Sequence, residues 1–257
     1  MTVDEGYYVK SVEKAFAILG AFTPDVPEHT VSTAAAAAGT SRAAARRFLL
    51  TLRDLGYLGF DGTAFRLAPR TLDVAAAYLA HLSLPQVAEQ HLKQLSAELG
   101  ETTSLCILDG TDVVYVSRIT SLRLLRVAVN VGTRFPAWAT SMGRVLLAQL
   151  PAEELETYFA DVRLQQYTRS TVSSVAELRE EVLLAGIRGW SKVTDELEDG
   201  LRGVAVPVRG ADGTVVAAAN VSLQLHSSDG VETTVLPLLR AAADRISRDL
   251  GSRGGPA

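Results

Sequence analysis

The 257-residue sequence has a single cysteine and no long apolar run, and each shortage excludes a class of protein. Because Cys106 cannot form an internal disulfide, a disulfide-stabilised secreted fold is excluded. The surrounding TTSLCILD alternates like a strand, which favours a buried thiol over a nucleophile. No apolar run reaches the roughly 18 to 20 residues of a membrane span, and the acidic start MTVDEGYYVK is unlike a secretory signal. We therefore expect a cytoplasmic protein with no membrane partner.

Patterns that would indicate an enzyme are also missing. The four histidines (29, 81, 91 and 226) are scattered without metal-ligand spacing. The sequence contains no GxxxxGK, GxSxG or GxGxxG pattern. The acidic run at 195–199 could be imagined as a metal site, but without partnering histidines a solvated loop between two strands is favoured. We predict no catalytic residue, no metal and no cofactor.

Length and composition are those of an ordinary globular protein, with 47% hydrophobic and 21% charged residues. The length favours two domains over one large domain. The net charge of −4 is unevenly distributed: residues 1–70 hold eight Lys or Arg against seven Asp or Glu, whereas residues 71–257 hold 17 against 22. From His29 to Arg53 there are four arginines and no carboxylate. This local excess of cations predicts a surface that faces phosphate.

Two short helices separated by a glycine-containing turn are predicted after a first amphipathic helix at 9–22. The first of the two is alanine-rich, is capped by Ser32 or Thr33, and ends at Gly39. The second follows Ser41, which is placed as an N-cap. Two short helices with this spacing are typical of a helix-turn-helix.

A β-hairpin is predicted directly after these helices. YLGFDGTAFRLAPR alternates apolar and polar residues on both sides of an Asp-Gly turn, with Arg66 facing outward. A hairpin in this place is the wing of a winged helix-turn-helix. We therefore predict a winged DNA-binding domain over residues 9–69.

The helix after Ser41 has one face suited to packing and another suited to DNA. A step of 100° per residue places one apolar stripe toward the core: Ala45, Phe48, Leu49 and Leu52. The opposite side is small at Ala43 and cationic at its flanks, which lets a helix approach base edges while arginines reach guanine or phosphate. Arginines on a merely solvated helix are the alternative, disfavoured by the order of the neighbouring elements. The predicted DNA contacts are Thr40, Ser41, Arg42, Ala43, Arg46, Arg47 and Arg66.

The rest of the chain is predicted to form a linker and a second domain. Residues 70–84 read as a linker helix whose apolar face suits either self-association or packing onto its own domain. Residues 85–250 alternate hairpins and helices, including a strand near 124–130, which predicts an α+β domain with a mainly antiparallel sheet. Residues 251–257 are predicted to be a disordered tail.

Five stretches resemble the IclR family of bacterial transcriptional regulators: VKSVEKAFAILGAF, GTSRAAARRFLLTLRDLGYL, NVGTRFPAWATSMGRVLLA, YTRST and DELEDGLRGVAVPVRGADGTVVAAANVSLQ. The resemblance extends over residues 9–250. SRAAARRFLLTL and the GTR-P-A-TSMGRVLLA pattern are similar to the branch that controls protocatechuate, 4-hydroxybenzoate and β-ketoadipate catabolism, the PcaR, PcaU and PobR type. The resemblance implies a winged helix-turn-helix, a linker helix used in dimerisation, and a GAF-like effector domain. It also implies a small carboxylate effector and a homodimer or dimer of dimers on double-stranded operator DNA.

The resemblance further implies an effector pocket. Family positions carried over residue by residue are Ser141, Met142, Gly143, Asp195, Gly203, Asn220 and Ser222. Members that sense small 2-oxo acids tend to have a cysteine at the position of Gly203 and a serine at that of Asn220. Loss of the cysteine side chain implies a larger pocket, suited to an aromatic or longer acid.

A buried carboxylate needs a charged partner or several hydrogen-bond donors. We predict that Arg134 supplies the charge, assisted by N–H groups at the start of the TSMGR helix, and that Trp138 supplies an aromatic wall. The alternatives are that Arg134 only holds its own loop and that Trp138 belongs to the core. Arg144 and Arg202 also match family positions, where a structural salt bridge is favoured.

These observations predict a ligand-responsive transcriptional regulator of aromatic-acid catabolism. Effector binding would change the relative placement of the two winged domains across a dimer, and so the fit to paired half-sites. A small-molecule-binding protein-interaction module without sequence-specific DNA binding is the alternative.

Overall fold

The computed structural model describes residues 8–23, 25–74, 83–121, 129–224 and 230–251. The chain divides into two compact units, residues 1–81 and 82–257, here called the N-terminal and C-terminal units. The division lies within a few residues of the predicted start of the second domain.

The described part of the N-terminal unit contains a small antiparallel sheet, three helices and the helical residues 71–74. Its elements are α1 (Lys10–Gly20), β1 (Glu28–His29), α2 (Val31–Ala37), α3 (Arg42–Asp54), β2 (Leu58–Phe60) and β3 (Phe65–Leu67). The strand order is β1-β3-β2. Strands β2 and β3 form the predicted hairpin, so the winged helix-turn-helix is confirmed. Strand β1 was not predicted, because its two residues lie in a polar stretch that carries no alternation.

Helix caps explain where α2 and α3 begin. Ser41 caps α3 as predicted, since its Oγ accepts the N–H of Ala44 at 3.2 Å. The predicted cap of α2 was wrong: Thr30 is the N-cap, and its Oγ1 accepts the N–H of Thr33 at 3.3 Å. The Thr30 N–H donates in turn to Thr33 Oγ1 at 2.9 Å. This reciprocal capping box satisfies two backbone donors, which favours the earlier start.

Small side chains pack the helices of the N-terminal unit closely. Ala34, Ala35 and Ala45 are buried between α2 and α3, together with Leu49 and Leu52. The alanines of α2 and α3 therefore allow the two helices to pack closely, and the predicted core stripe of α3 is confirmed.

The C-terminal unit is a six-stranded antiparallel sheet with helices on both faces. Its helices are α4 (Ser83–Leu99), α5 (Ser141–Leu147), α6 (Ala152–Asp161), α7 (Val175–Arg188) and α8 (Leu236–Asp249). Its strands are β4 (Thr102–Asp109), β5 (Asp112–Ile119), β6 (Arg134–Pro136), β7 (Ser191–Thr194), β8 (Leu201–Arg209) and β9 (Val215–Gln224). A 3-10 turn (Ala137–Ala139) precedes α5, and a π-helical turn (Val231–Val235) precedes α8. The predicted α+β class is confirmed.

The sheet order is β6-β5-β4-β9-β8-β7. Helices α4 and α8 cover one face over a core that includes Leu92, Leu105, Val221 and Leu239. Helices α5, α6 and α7 cover the other face, which we call the α5 face, over a second core. The two cores fix the sheet on both sides, so side chains that point to the α5 face are held in a defined layer.

Several predictions concern residues outside those described. Of the predicted linker helix, residues 71–74 are helical, and 75–82 lie outside the described residues. The same holds for most of the predicted strand at 124–130 and for nearly all of the predicted tail. None of the helices in the described ranges is both long and apolar enough to cross a bilayer.

Helix α5 lies unusually close to the 3-10 turn before it, and Gly143 permits this. A Cβ at Gly143 would lie 1.9 Å from the Ala137 carbonyl oxygen. The Gly143 N–H donates to Thr140 Oγ1 at 2.9 Å, so this hydroxyl caps the helix. Replacement of the glycine therefore requires backbone movement.

Gly143→Ala is expected to lower the free energy of unfolding by about 1–3 kcal/mol or more, the cost of overpacking a close-packed site. Urea unfolding would measure it. Gly186→Ala on α7 is the matched control, because the added Cβ would lie at an ordinary 3.5 Å from the Ala148 Cβ. Alanine is favoured over glycine in a helix by about 1 kcal/mol, so this control is expected to stabilise the protein. Equal effects of the two substitutions would contradict the packing account.

Candidate DNA interface and ligand cavity

The exposed face of α3 carries three arginines without carboxylate partners. Arg42, Arg46 and Arg47 are exposed, and within the described ranges none of them forms an ion pair. By contrast, Arg53 in the last turn pairs with Asp54 at 2.7 Å. Ala43 is exposed between the arginines and adds only a methyl group to the surface. The structure therefore brings together a small, cationic face on α3, the arrangement that entry into a DNA groove requires.

Arg66 lies on β3 between two carboxylates. Its guanidinium is 3.8 Å from Glu28 and 3.6 Å from Asp61. Asp61 accepts the N–H groups of Thr63 and Ala64, both at 2.9 Å, and these bonds hold its pKa below the usual range. The neighbouring charges offset much of the Arg66 cation. Its predicted contact with DNA is therefore expected to be weaker than that of the α3 arginines.

A small cavity lies on the α5 face of the C-terminal unit. Its volume is about 40 Å³. The lining residues are Tyr115, Ala139, Thr140, Ser141, Met142, Val193, Glu196, Leu197, Leu201, Gly203, Asn220 and Ser222. Five of the predicted effector residues thus meet around one cavity. Apolar side chains form most of its wall, and amide and hydroxyl groups form one edge.

Asn220 organises the polar edge of the cavity. Its Nδ2 donates to Ser141 Oγ at 3.2 Å and to the Val204 carbonyl at 3.1 Å. Ser222 Oγ donates to Asn220 Oδ1 at 3.0 Å. This network holds the start of α5 against β9. It also places the hydroxyl groups of Ser141 and Ser222 beside the cavity.

Gly203 lines the cavity, and two side chains lie close to the place where its side chain would be. A Cβ at Gly203 would lie 2.8 Å from Ser141 Oγ and 3.4 Å from Asn220 Nδ2. The space released by the missing side chain is therefore filled by Ser141 and Asn220. Glycine here permits the contact between β8, β9 and α5.

Arg144 on α5 forms a buried ion pair with Glu196, a residue of the cavity lining. Its side chain is only 2% exposed, and its Nη2 donates to Glu196 Oε2 at 2.8 Å. Its Nε donates to the Trp138 carbonyl at 3.2 Å, and Glu181 lies 3.6 Å from Nη1. Burial raises the pKa of Glu196, although the Arg144 charge acts in the opposite direction. The predicted structural salt bridge of Arg144 is confirmed.

The prediction that Arg134 binds the effector carboxylate is corrected by its position. Arg134 lies on the edge strand β6 and is not among the residues that line the cavity. Its Nη1 donates to Asp109 at 2.7 Å and its Nε to Asp112 at 3.2 Å, and these bonds raise its pKa. The guanidinium also donates to the Asp109 carbonyl at 3.0 Å. Arg134 therefore joins β6 to the β4–β5 hairpin, which is the alternative role considered for it.

Three further predicted residues lie beside the cavity without lining it. Trp138 is buried in the core and stacks on Tyr167, with ring centroids 5.8 Å apart. Gly143 faces the Ala137 carbonyl, as described above. Asp195 has a left-handed backbone with φ of 60°, and its Oδ1 accepts the Gly200 N–H at 2.6 Å. Asp195 thus stabilises the 195–200 loop and does not face the cavity.

Sequence reasoning missed seven residues of the cavity wall: Tyr115, Ala139, Thr140, Val193, Glu196, Leu197 and Leu201. Tyr115 lies on β5, and Leu197 and Leu201 lie on or beside the loop after β7. Glu196 was assigned to a solvated loop, but it is 8% exposed. The one available signal was the alternation of acidic residues with leucine in DELEDGL. No cluster of potential metal ligands occurs in the part of the chain that the structure describes.

Comparisons with known proteins place both units of the chain in one family. Residues 11–62 match the family described as the IclR helix-turn-helix domain, and residues 76–248 match the bacterial transcriptional regulator IclR C-terminal domain. The Pca regulon regulatory protein of Pseudomonas putida is 35% identical over 95% of this chain and 83% of its own length.

Two further relatives are similar over almost the whole chain. The p-hydroxybenzoate hydroxylase transcriptional activator of Acinetobacter baylyi is 35% identical over 93% of this chain and 91% of its own. The crystal structure of an IclR homologue from Microbacterium hydrocarbonoxydans, complexed with 4-hydroxybenzoate, is 28% identical with a TM-score of 0.84. It covers 93% of this chain and 98% of its own.

Arg144→Met is expected to lower the free energy of unfolding by about 3–5 kcal/mol, because it leaves Glu196 buried without its cation. Replacing both partners, with Arg144→Met and Glu196→Leu, is expected to cost less than the single change, since neither charge then remains. Urea unfolding would compare them. Glu156→Gln, which breaks the exposed Arg179–Glu156 pair, is the control and should change the midpoint little. A double variant less stable than the single would contradict this account.

Proposed function

The chain belongs to the IclR family of bacterial transcriptional regulators, and we propose that it controls genes of aromatic-acid catabolism in response to a small aromatic carboxylate. The observation that carries the proposal is the cavity between α5 and the sheet, with apolar walls and a polar edge, in a chain that also presents an arginine-rich α3. Relatives over most of its length are named for the Pca regulon and for p-hydroxybenzoate hydroxylase. A solved relative is complexed with 4-hydroxybenzoate.

Operator recognition is assigned to α3 and the wing. Ala43 lets the helix approach base edges, and Arg46 and Arg47 then lie within reach of guanine or of the phosphates beside the groove. Arg42 and the backbone near Thr40 and Ser41 lie at the start of the helix, where phosphate contacts are favoured by the helix dipole. Arg66 on the wing is a secondary contact.

Effector binding is assigned to the cavity. Ser141, Asn220 and Ser222 can form hydrogen bonds with a ligand. Met142 and Tyr115 can make apolar contacts with an aromatic ring. The cavity of about 40 Å³ is much smaller than the roughly 300–1,000 Å³ of small-molecule sites, so a wall has to move when a ring enters.

The wall suited to movement is the 195–200 loop together with Leu201. The loop is joined to the rest of the unit by polar contacts: Thr168 Oγ1 donates to the Asp195 carbonyl, and Thr171 Oγ1 donates to the Glu196 carbonyl at 2.7 Å. Arg144 connects the same loop to α5. Displacement of the loop by a ligand would therefore be transmitted to α5, because the buried ion pair resists separation.

We further propose that the working unit is a homodimer or a dimer of dimers. Val12 and Phe16 on α1 and the N-cap residue Val9 are 52%, 66% and 55% exposed. Such a stripe on a helix favours contact with a second apolar face. In a dimer, effector binding would shift the equilibrium between two placements of the winged domains and so the affinity for paired half-sites.

Arg46→Ala and Arg47→Ala are each expected to weaken operator binding by about 1–3 kcal/mol if the side chain contacts a base, and to lower the salt slope if it contacts phosphate. Fluorescence anisotropy on DNA upstream of the gene, at two salt concentrations, would measure this. Arg53→Ala is the control on the same helix, since Arg53 already pairs with Asp54, and little change is expected. Unchanged affinity in both variants would reject the assignment of α3, and no sequence-selective binding by the wild type would favour the protein-interaction module instead.

Gly203→Val is expected to reduce the affinity for 4-hydroxybenzoate by about tenfold or more, because the new side chain would displace Ser141 and Asn220, which form the polar edge of the cavity. Isothermal titration would measure binding, and ligand-dependent melting would check it. Operator affinity without ligand is the control and should stay at the wild-type value. Retention of full affinity for every aromatic acid tested would show that the ligand binds elsewhere.

A further inference from the structure

A carboxylate effector in this cavity faces an electrostatic problem. Among the residues that line it, the charged side chain is that of Glu196, which is already paired with Arg144, so the lining itself offers a ligand carboxylate no cation. An ionised acid would therefore enter only with a cation nearby, because an unpaired buried charge is costly. The cation has to come from a residue beside the lining.

Two arginines of the C-terminal unit are already engaged. Arg134 is held at the sheet edge by Asp109 and Asp112. Arg144 is committed to Glu196 and to the Trp138 carbonyl. Neither can turn toward a ligand without breaking an ion pair, so both are poor candidates.

Arg118 on β5 is placed differently. Strand register puts Arg118 opposite Ser104 on β4, and Ser104 opposite Asn220 on β9. Residues directly opposite each other in an antiparallel sheet project from the same face. Since the Asn220 side chain bonds to Ser141 on α5, Arg118 belongs to the α5 face, in the same row as the polar edge of the cavity.

The contacts that the Arg118 guanidinium makes with described residues leave most of its donors available. Its Nη1 lies 3.4 Å from Ser104 Oγ, and its Cζ lies 5.9 Å from the centroid of the Tyr115 ring. Within the described ranges no carboxylate forms an ion pair with it. The side chain is partly buried, and this desolvation lowers its pKa from the usual value. A half-buried cation with one weak hydrogen bond would gain by pairing with an anion.

The distances are compatible with a ligand between Arg118 and Asn220. Two strand spacings separate them, or about 10 Å between their backbones. Tyr115, which lines the cavity, also contacts the Arg118 guanidinium. The aromatic ring thus connects the cavity to the cation, with Glu196 placed toward β7 at the far side.

We infer that Arg118 selects effectors that carry a carboxylate, by pairing its guanidinium with that group at the β5 end of the cavity. The inference rests on the proposed function and specifies the orientation of the ligand. The carboxylate points toward β5, away from Glu196, and the ring lies against Tyr115 and Asn220. The planar guanidinium can donate two parallel N–H bonds to the carboxylate, a geometry that lysine does not provide.

The test compares an acid with a neutral ligand of the same shape. Full-length wild type, Arg118→Gln, Arg118→Lys and Arg134→Gln would be titrated calorimetrically with 4-hydroxybenzoate and with 4-hydroxybenzamide. We expect the wild type to prefer the acid by about tenfold or more, as a charge-assisted pair provides. In Arg118→Gln the acid should lose that preference while the amide binds as before. Arg118→Lys should retain part of it, and the matched control Arg134→Gln should retain all of it.

Equal weakening of both ligands in Arg118→Gln would show a structural role, and unchanged acid binding would show no role; either result overturns the inference alone. If the wild type binds neither aromatic ligand, the proposed effector class fails together with the inference. Melting temperature and operator affinity of each variant, without ligand, confirm that the fold is intact. The Arg118→Lys variant gives a second, milder readout if Arg118→Gln is destabilised.

Discussion

The buried guanidinium of Arg144 is the interaction on which the ligand-binding half of the molecule depends. It is the largest of the fully buried side chains in the described chain, and it contacts three separate segments. Its hydrogen bonds reach the 3-10 turn through the Trp138 carbonyl and the loop after β7 through Glu196, while Glu181 on α7 lies close by. Because an unpaired buried charge is so unfavourable, these segments are held together as a set, and the cavity wall takes its shape from them.

At three positions a glycine or an alanine leaves space for the close approach of a neighbouring segment or of DNA. Gly143 lets α5 approach the turn before it, and Gly203 lets β8 approach Ser141 and Asn220. Ala43 exposes only a methyl group on α3. Close packing of the backbone therefore sets the geometry of the proposed ligand cavity, and small residues likewise suit the surface proposed to meet DNA.

Local patterns predicted local structure well. The stripe of α3, the Ser41 cap and the hairpin turns were all readable, because helical spacing, capping and turn chemistry involve residues close together in the sequence. Interactions between residues far apart in the sequence could not be predicted. The sequence around Arg134 says nothing of Asp109, which lies 25 residues away, and Glu196 looks solvated until Arg144 is placed beside it. The position of Arg118 beside the cavity could not be predicted from the sequence, because it depends on the strand register.

The strand order has a consequence for the time at which each activity arises during synthesis. The N-terminal sheet is complete once Leu67 has been made, because its strands β1, β2 and β3 pair with one another. The sheet of the C-terminal unit has β9 at its centre, paired with β4. Cys106 on β4 therefore cannot pair with its partner Ala218 until β9 has been synthesised. Domains fold in order as the chain emerges from the ribosome, and such distant pairings form slowly. A nascent chain thus holds a finished winged domain before it holds a sensor, and translation has to pass β9 before the protein can respond to a ligand.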